Sequence, residues 1–368
     1  MRNSVAGLAA IGLVCCGVAW GRQEDAPLER PGIVRRYAFR DGIAAVPDLA
    51  GGRAEMRYRA DKGSAVTSEV GRAAGSRTVL LDGDSFESSP LECVSNSMTV
   101  ALWIKPLAMG SKTGNAGSAN GMIASSGSGY NDGWRLVVND WKTRQPSFEL
   151  GREKGAFAVR AADGLSAGFW NHLAATWDGA VVRIYVNGML SEQKPYNEPA
   201  VAPRSALRVG FSGYGVGSLR MAVDELAVYD RALPPEEVAA LAMPDEPLPA
   251  VLKHAVRRAQ ELRASDAAAA RQGYLEVAGA AAAPAAWKLW AELAAARLPR
   301  PQGGIDATAA AAVFESPSVA PYLRGQAVEL LLRACRQGAG SGLPSRVLAQ
   351  VPEYLALDAE TQRLFALA

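Results

Sequence analysis

The sequence predicts a mainly β protein with a helical appendix: a β-sandwich over the longer N-terminal part, then an α-helical domain. Three observations carry this. Short runs from about Ile33 to Asp230 place apolar residues at every second position, the period of a strand with one buried face. Clusters of Gly, Asn, Asp and Ser separate these runs at the spacing of hairpin turns. Beyond a proline-rich stretch, Met243 to Pro249, the composition shifts to Ala, Leu, Arg and Glu, the strong helix formers.

The N-terminus reads as an export signal over residues 1–21: Arg2, an apolar stretch from Val5 to Val18, and small residues around Ala19-Trp20-Gly21. The apolar run is short for a membrane span, and the chain turns polar at Arg22-Gln23-Glu24-Asp25. Cys15 and Cys16 follow the apolar run, but Val14 and a second Cys precede them where lipoprotein signals carry Gly, Ala or Ser, which argues against a lipid anchor. Secretion to the periplasm, cell envelope or exterior is therefore expected.

Strands are predicted at Thr78–Asp82, Met98–Lys105, Trp134–Asn139, Ser147–Gly151, Phe157–Arg160, His172–Trp177, Val181–Asn187, Ala206–Gly210 and Ala222–Tyr229. The clearest pair is WNHLAATWDGAVVRIYVNG, residues 170–188, in which Leu173, Ala175 and Trp177 alternate with His172, Ala174 and Thr176. Asp178-Gly179 turns the chain, Val182, Ile184 and Val186 form the next apolar face, and Asn187-Gly188 supplies a second hairpin turn. The Gly-, Ser- and Asn-rich stretch from Met109 to Gly121 reads as a loop. Pro234-Pro235-Glu236-Glu237 opens a short helix, proline being tolerated in a first turn. Longer helices are predicted near Ala250–Ala264, Ala267–Ala280, Ala285–Ala296, Ala307–Glu315, Val319–Arg336 and Ala359–Leu367, with Asp266 and Asp358 as N-caps. They read as antiparallel pairs of the solenoid type without a fixed repeat.

The chain has 368 residues, 49% of them hydrophobic, and a formal net charge of +2. That length asks for two domains, and the charge, with no concentrated Lys/Arg face, argues against nucleic acid as a partner. Once a signal is removed only Cys93 and Cys335 remain, in different predicted domains, so a disulfide framework is not expected.

Four motifs in order resemble the laminin-G-like jelly roll of the concanavalin A-like lectin and glucanase superfamily. They are Tyr37–Gly42 with Pro47–Gly51; Leu80–Phe86 followed by Met98–Pro106; Phe169–Gly179 through Tyr185–Gly188; and Ala222–Val238. The resemblance implies a jelly roll over 33–242, a linker at 243–249 and a helical domain at 250–368. It leaves the ligand open, because members bind glycans, proteins or nothing known.

The glucanase branch of this superfamily places its carboxylates along one strand as Glu-x-Asp-x-x-Glu, which this chain lacks. Asp224-Glu225 are adjacent, and neighbours on a regular strand face opposite ways, so they do not converge on one glycosidic bond. His172 and His254 have no partner placed for a triad. Asp224, at an alternate position to Leu226 and Val228, is expected on the core side, where a carboxylate must be hydrogen-bonded or metal-paired. The resemblance implies structural Ca2+ held by Asp224 with the early turn, Asp41 or Asp48; the other assignment is an aspartate capping backbone amides there.

Trp103, His172, Thr176, Arg183, Tyr185, Glu225 and Tyr229 lie opposite the core-facing positions of their strands, and Trp134 and Trp141 flank Asn139-Asp140. Rings beside hydrogen-bonding groups suit a sugar, so Trp103, Trp134, Trp141, His172, Arg183, Tyr185, Glu225 and Tyr229 are the candidate binding residues. The expected function is recognition of a glycan or an envelope or extracellular protein, without catalysis. A glycan hydrolase with a displaced catalytic pair, or a purely structural scaffold, are the competing readings.

Overall fold

The structure is a computed structural model and describes residues 31–337 apart from 41–42, 53, 61–65, 73–74, 92–96, 113–119, 200, 212, 214–215, 301–303 and 318. The signal segment, Cys93, the centre of the predicted 109–121 loop and the helix predicted at 359–367 lie outside the described residues.

Among the described residues sixteen strands, numbered in chain order, form two packed sheets. The first runs β14 (Met189–Pro195), β13 (Val181–Val186), β12 (Asn171–Trp177), β7 (Met98–Met109) and β16 (Gly217–Tyr229). Along β16 it is continued by β1 (Ile33–Tyr37) at one end and by β5 (Arg77–Leu81), then β4 (Thr67–Val70), at the other. The second sheet runs β2 (Ala45–Val46), β3 (Met56–Arg59), β6 (Ser85–Ser88), β15 (Leu207–Gly210), β8 (Gly121–Ser126), β9 (Trp134–Val138), β10 (Pro146–Gly151) and β11 (Ala156–Arg160). The start of β16 joins the two, pairing in parallel with β8.

Between the sheets lies an apolar core in which Leu173, Ala175 and Trp177 of β12 meet Val100, Leu102 and Ile104 of β7 and Phe86, Leu136 and Phe148 of the facing sheet. These are the alternate positions that the period of two assigned to the buried face. The turn at Asn187-Gly188 has φ of 56° and 76°, the left-handed conformation that joins β13 to β14 with the twist of the sheet.

After β16 the hydroxyl of Thr99 clamps the chain reversal, donating to Arg231 O at 2.8 Å and accepting from Leu233 N at 2.8 Å. Six helices follow among the described residues: α1 (Pro235–Leu241), α2 (Ala250–Leu262), α3 (Ala267–Gly279), α4 (Ala285–Ala296), α5 (Ala307–Glu315) and α6 (Pro321–Arg336). From α2 onward each packs on its successor. Asp266 caps α3 as expected by accepting from Ala269 N, and Asp306 caps α5 the same way.

The helices do not stand apart from the strands. Trp103, Phe169, Trp170, Met189 and Ala222 of the strand region belong to one apolar cluster with Trp287, Trp290, Leu323 and Leu331 of the helices. Val238 of α1 packs among Ala101, Ala174, Tyr185 and Tyr229 on the outer face of the first sheet. Backbone donors and acceptors are matched across the seam: Leu190 N donates to Gln260 Oε1 at 2.7 Å, and Trp290 Nε1 donates to Asn187 O at 3.0 Å. Such pairing matters because an unmet buried amide costs about 1–3 kcal/mol.

Candidate functional site

The outer face of the first sheet is the one from which most of the binding candidates were drawn. It is closed. Cross-strand neighbours put His172, Trp103 and Asp224 in one row and Tyr185, Ala174, Ala101 and Ala227 in the next. Trp103 is 2% exposed, His172 2%, Tyr185 0% and Tyr229 2%, so none of the four offers a free surface. Trp103 stacks edge-on against His172 on one side and against Tyr322 of α6 on the other, with centroids 5.3 Å apart in both cases. The assignment of these residues away from the inter-sheet core is correct, but the face they occupy packs on helices instead of ligand. Small residues at Ala101 and Ala174 beside bulky Trp103 and Tyr185 were the available signal, since a strand apolar on both faces is covered on both.

Trp134 is corrected for the opposite reason. It is fully buried between the sheets, 6.2 Å from Phe148, and makes no part of a rim. Trp141 is half-buried against the same core. Arg183 is partly exposed and is held by Asp178 at 2.6 Å and Gln193 at 3.2 Å. Trp141 and Arg183 thus keep solvent access, but on different hairpins.

Asp224 and Glu225 lie at a β-bulge. Asp224 pairs with Trp103 while Leu226 pairs with Leu102, leaving Glu225 as the extra residue with φ of 41°. The bulge breaks the alternation, so Asp224 shares the face of Trp103 and not that of core-facing Leu226 and Val228, contrary to the sequence expectation. Glu225 sits 3.7 Å from Arg36 and 3.8 Å from Arg72, and Asp224 lies 3.7 Å from Arg72. The Arg72 guanidinium also covers the Trp103 ring at 4.8 Å. Burial, then the neighbouring Glu225 charge, pushes the Asp224 carboxyl up to about 6, against the pull of Arg72 and Arg40.

These surroundings do not fit calcium. Among the described residues no group of three His, Cys, Asp or Glu side chains is placed to hold a metal ion, and the charges facing Asp224 include two arginines. Asp48 takes the capping role: its Oδ1 accepts from Arg36 N and Ala50 N, each at 3.0 Å. Asp41, the third expected ligand, lies outside the described residues.

The second sheet carries a different pattern on its outer face. Cross-strand registers align Arg57 of β3, Glu87 of β6, Arg208 of β15, Ser125 of β8, Arg135 of β9 and Glu149 of β10 along neighbouring strands, and Arg59 of β3 lies 3.4 Å from Glu87. Arg208 Nε donates to Glu87 at 2.6 Å and Arg135 Nε to Glu149 at 2.7 Å, while the Ser125 hydroxyl between the two arginines is buried without a hydrogen-bond partner. At the end of this row the β8–β9 turn is held by Asp132, which accepts from Ser128 N and from Arg204 N and whose carboxyl is thereby kept below the ordinary aspartate range in spite of burial. That turn presents Tyr130, 54% exposed, beside Gly155. Sequence reasoning missed this row, because the residues that form it come from six separate strands.

Residues 81–239 match the family model described as the concanavalin A-like lectin/glucanases superfamily. The sandwich is a concanavalin A-like jelly roll. Comparison with curated proteins found no match. Among solved structures, the jelly roll is similar to domain 4 of AbnA, a GH43 extracellular arabinanase from Geobacillus stearothermophilus in complex with arabinotriose. That match has a TM-score of 0.45 and 21% identity, over 57% of this chain and 98% of that one. It is also similar to the binding domain of Paraclostridial Mosquitocidal Protein 1, with a TM-score of 0.42 and 18% identity over 57% of this chain and 52% of that one. A structure of botulinum neurotoxin type C, whose cell entry depends on interaction with two ganglioside molecules, aligns at a TM-score of 0.43 and 14% identity, over 58% of this chain and 51% of that one. The chain thus spans about half the length of the two toxin chains. No helix among the described residues is long and apolar enough to cross a membrane.

Proposed function

We propose that this chain is an exported, non-catalytic recognition module that binds a glycan on the outer face of its second sheet, at the end marked by the β8–β9 turn. The observation that carries the reading is the row Glu87, Arg208, Ser125, Arg135, Glu149 next to exposed Tyr130. Alternating donors and acceptors match the vicinal hydroxyls of a sugar, and a tyrosine ring packs on its C–H face. Glu87, Arg208, Arg135 and Glu149 keep part of their side chains exposed on this face, whereas Ser125 is buried. The other sheet face is occupied by helices, which leaves this one for a ligand.

Absence of catalysis rests on the placement of the acids. A glycosidase needs two carboxylates about 5–9.5 Å apart across the bond to be cleaved. Glu87 and Glu149 are each neutralised by an arginine, and Asp224 and Glu225 lie on the helix-covered side among Arg36, Arg72 and Trp103. The helices act as a backing that holds the first sheet rigid.

The test is a glycan array probed with the full chain, since the jelly roll alone would expose Trp103, Phe169 and Trp170. Binding that is lost in Arg135→Ala and Tyr130→Ala, without sugar turnover, supports the proposal. Turnover would establish the hydrolase reading, and silence on the array would shift the reading to a protein partner.

A further inference from the structure

A buried ionic cluster lies where the loop after β11 and the edge strand β14 meet α2, α3, α4 and α6. Its centre is Asp163, 1% exposed. Arg333 reaches Oδ1 of Asp163 at 2.5 Å, Arg263 reaches Oδ2 at 3.0 Å, Arg297 lies 3.6 Å from Oδ2, and Ser191 donates to Oδ2 at 2.8 Å. Beside them Arg144 pairs with Glu329 at 2.9 Å, and the Glu329 charge acts on Arg297. Four guanidiniums therefore share two carboxylates, an excess of two positive charges in a seam where Arg297 is 6% exposed.

The hydrogen-bond inventory has the same imbalance. Nε and Nη1 of Arg297, Nη1 of Arg263, Nε2 of Gln326 and the hydroxyl of Tyr274 are buried without a hydrogen-bond acceptor. Gln326 and Tyr274 are 0% exposed. Arg297 is tied to Gln326, whose Oε1 accepts from Nη2 at 3.3 Å, and Tyr274 lies within the fields of Arg263, Arg297 and Asp163. Every unmet atom of this group is a donor or, for the hydroxyl, can act as one. A water can accept from these donors but brings no charge, whereas a tetrahedral oxyanion brings several acceptor oxygens together with the missing negative charge. Arginine forks on helix ends suit this, since Arg263 and Arg297 are the C-cap residues of α2 and α4 and come pre-positioned by helix packing.

The structure assigns to the seam formed by Arg263, Tyr274, Arg297, Gln326 and Arg333 a binding site for a small inorganic oxyanion of the phosphate or sulfate class, which clamps the helices to the jelly roll. Arg333, with 28% of its side chain exposed, marks the path from solvent.

The experiment uses the full chain, exchanged into chloride buffer, and titrates inorganic phosphate and sulfate by calorimetry and thermal melting at constant ionic strength. Saturable binding of one anion per chain, with a melting temperature that climbs with the logarithm of anion concentration, is expected from preferential binding to the folded state. Tyr274→Phe removes one donor and no bulk, and should weaken the anion roughly tenfold, as expected for one hydrogen bond to a charged group. A melting temperature indifferent to phosphate and sulfate relative to chloride overturns the proposal, as does binding that Tyr274→Phe leaves unchanged. If that variant does not fold, the comparison of phosphate with chloride on the parent chain decides alone.

Discussion

Asp163→Asn is the substitution with the largest consequence for how the two parts of the chain hold together. The change keeps the shape and one acceptor oxygen but removes the charge on which Arg263, Arg297 and Arg333 converge. Removing one partner of a buried ion pair costs about 3–5 kcal/mol. Each kcal/mol lowers the melting temperature of a 150–250-residue protein by about 2–4 °C and that of a longer chain by less, so a fall of up to roughly 20 °C is expected. The pH dependence gives an independent check. The three guanidiniums hold the Asp163 carboxyl well below the ordinary aspartate range in spite of full burial. A carboxyl whose affinity for protons is lower in the folded chain contributes stability above its unfolded value, near pH 4, and loses that contribution as the pH falls. The parent chain should lose stability steeply below about pH 4 and the variant less so, because Asn does not titrate. Urea denaturation at pH 7 and at pH 3 to 4, in chloride buffer, measures both. Glu198→Gln is the control: its partner Arg152 lies at 3.4 Å but the two side chains are 54% and 36% exposed, and such surface pairs contribute about 0–1 kcal/mol. A loss of less than about 1 kcal/mol in Asp163→Asn, indistinguishable from the control, would refute the view that this cluster ties helices to strands.

Two further outcomes follow from the seam and the bulge. Gly188→Ala should destabilise the chain by about 1–3 kcal/mol in thermal melts, through strain at positive φ and overpacking. The φ there is 76°, and a Cβ would sit 2.9 Å from Ala242 Cβ and 3.0 Å from Ala239 Cα, backbone and methyl that cannot swing away. Asp224→Asn should stabilise the chain at pH 7 to 8 and have no effect at pH 4. Its carboxyl is raised to about 6, so the folded chain carries a cost for ionising it that appears as pH rises from the unfolded value and is complete above about 6. From 3.8 to about 6 that cost is at most about 3 kcal/mol at 1.36 kcal/mol per decade. Added Ca2+ or chelator should leave the melting temperature unmoved in both proteins. A calcium-dependent rise in the parent that Asp224→Asn abolishes would restore the metal assignment.

Much of the secondary structure was legible from periodicity. The strand alternation in residues 171–186 and the helix boundaries at Ala285–Ala296 and Ala307–Glu315 coincide with the observed elements, because each follows from a local pattern and a local stop signal. The strand Gly121–Ser126 is absent from the predicted strands, since Gly-Met-Ile-Ala-Ser-Ser has no alternation: all six residues are buried. Asp224 was placed on the wrong face because a bulge is a single-residue insertion relative to the neighbouring strand, and a sequence shows no neighbour.

The candidate site shows the same division. The sequence determined that Trp103, His172, Tyr185 and Tyr229 point away from the inter-sheet core, since side-chain alternation is a property of one strand. Only the tertiary structure decided what lies on that side. The helices bury Trp103 to 2% exposure and bring Arg263, Arg297 and Arg333 onto Asp163 across separations of 100 residues or more. The same holds for the row from Glu87 to Glu149, which exists only through the register of its strands. Local chemistry sets which way a residue faces, and long-range packing sets whether it faces solvent, a helix or an ion pair.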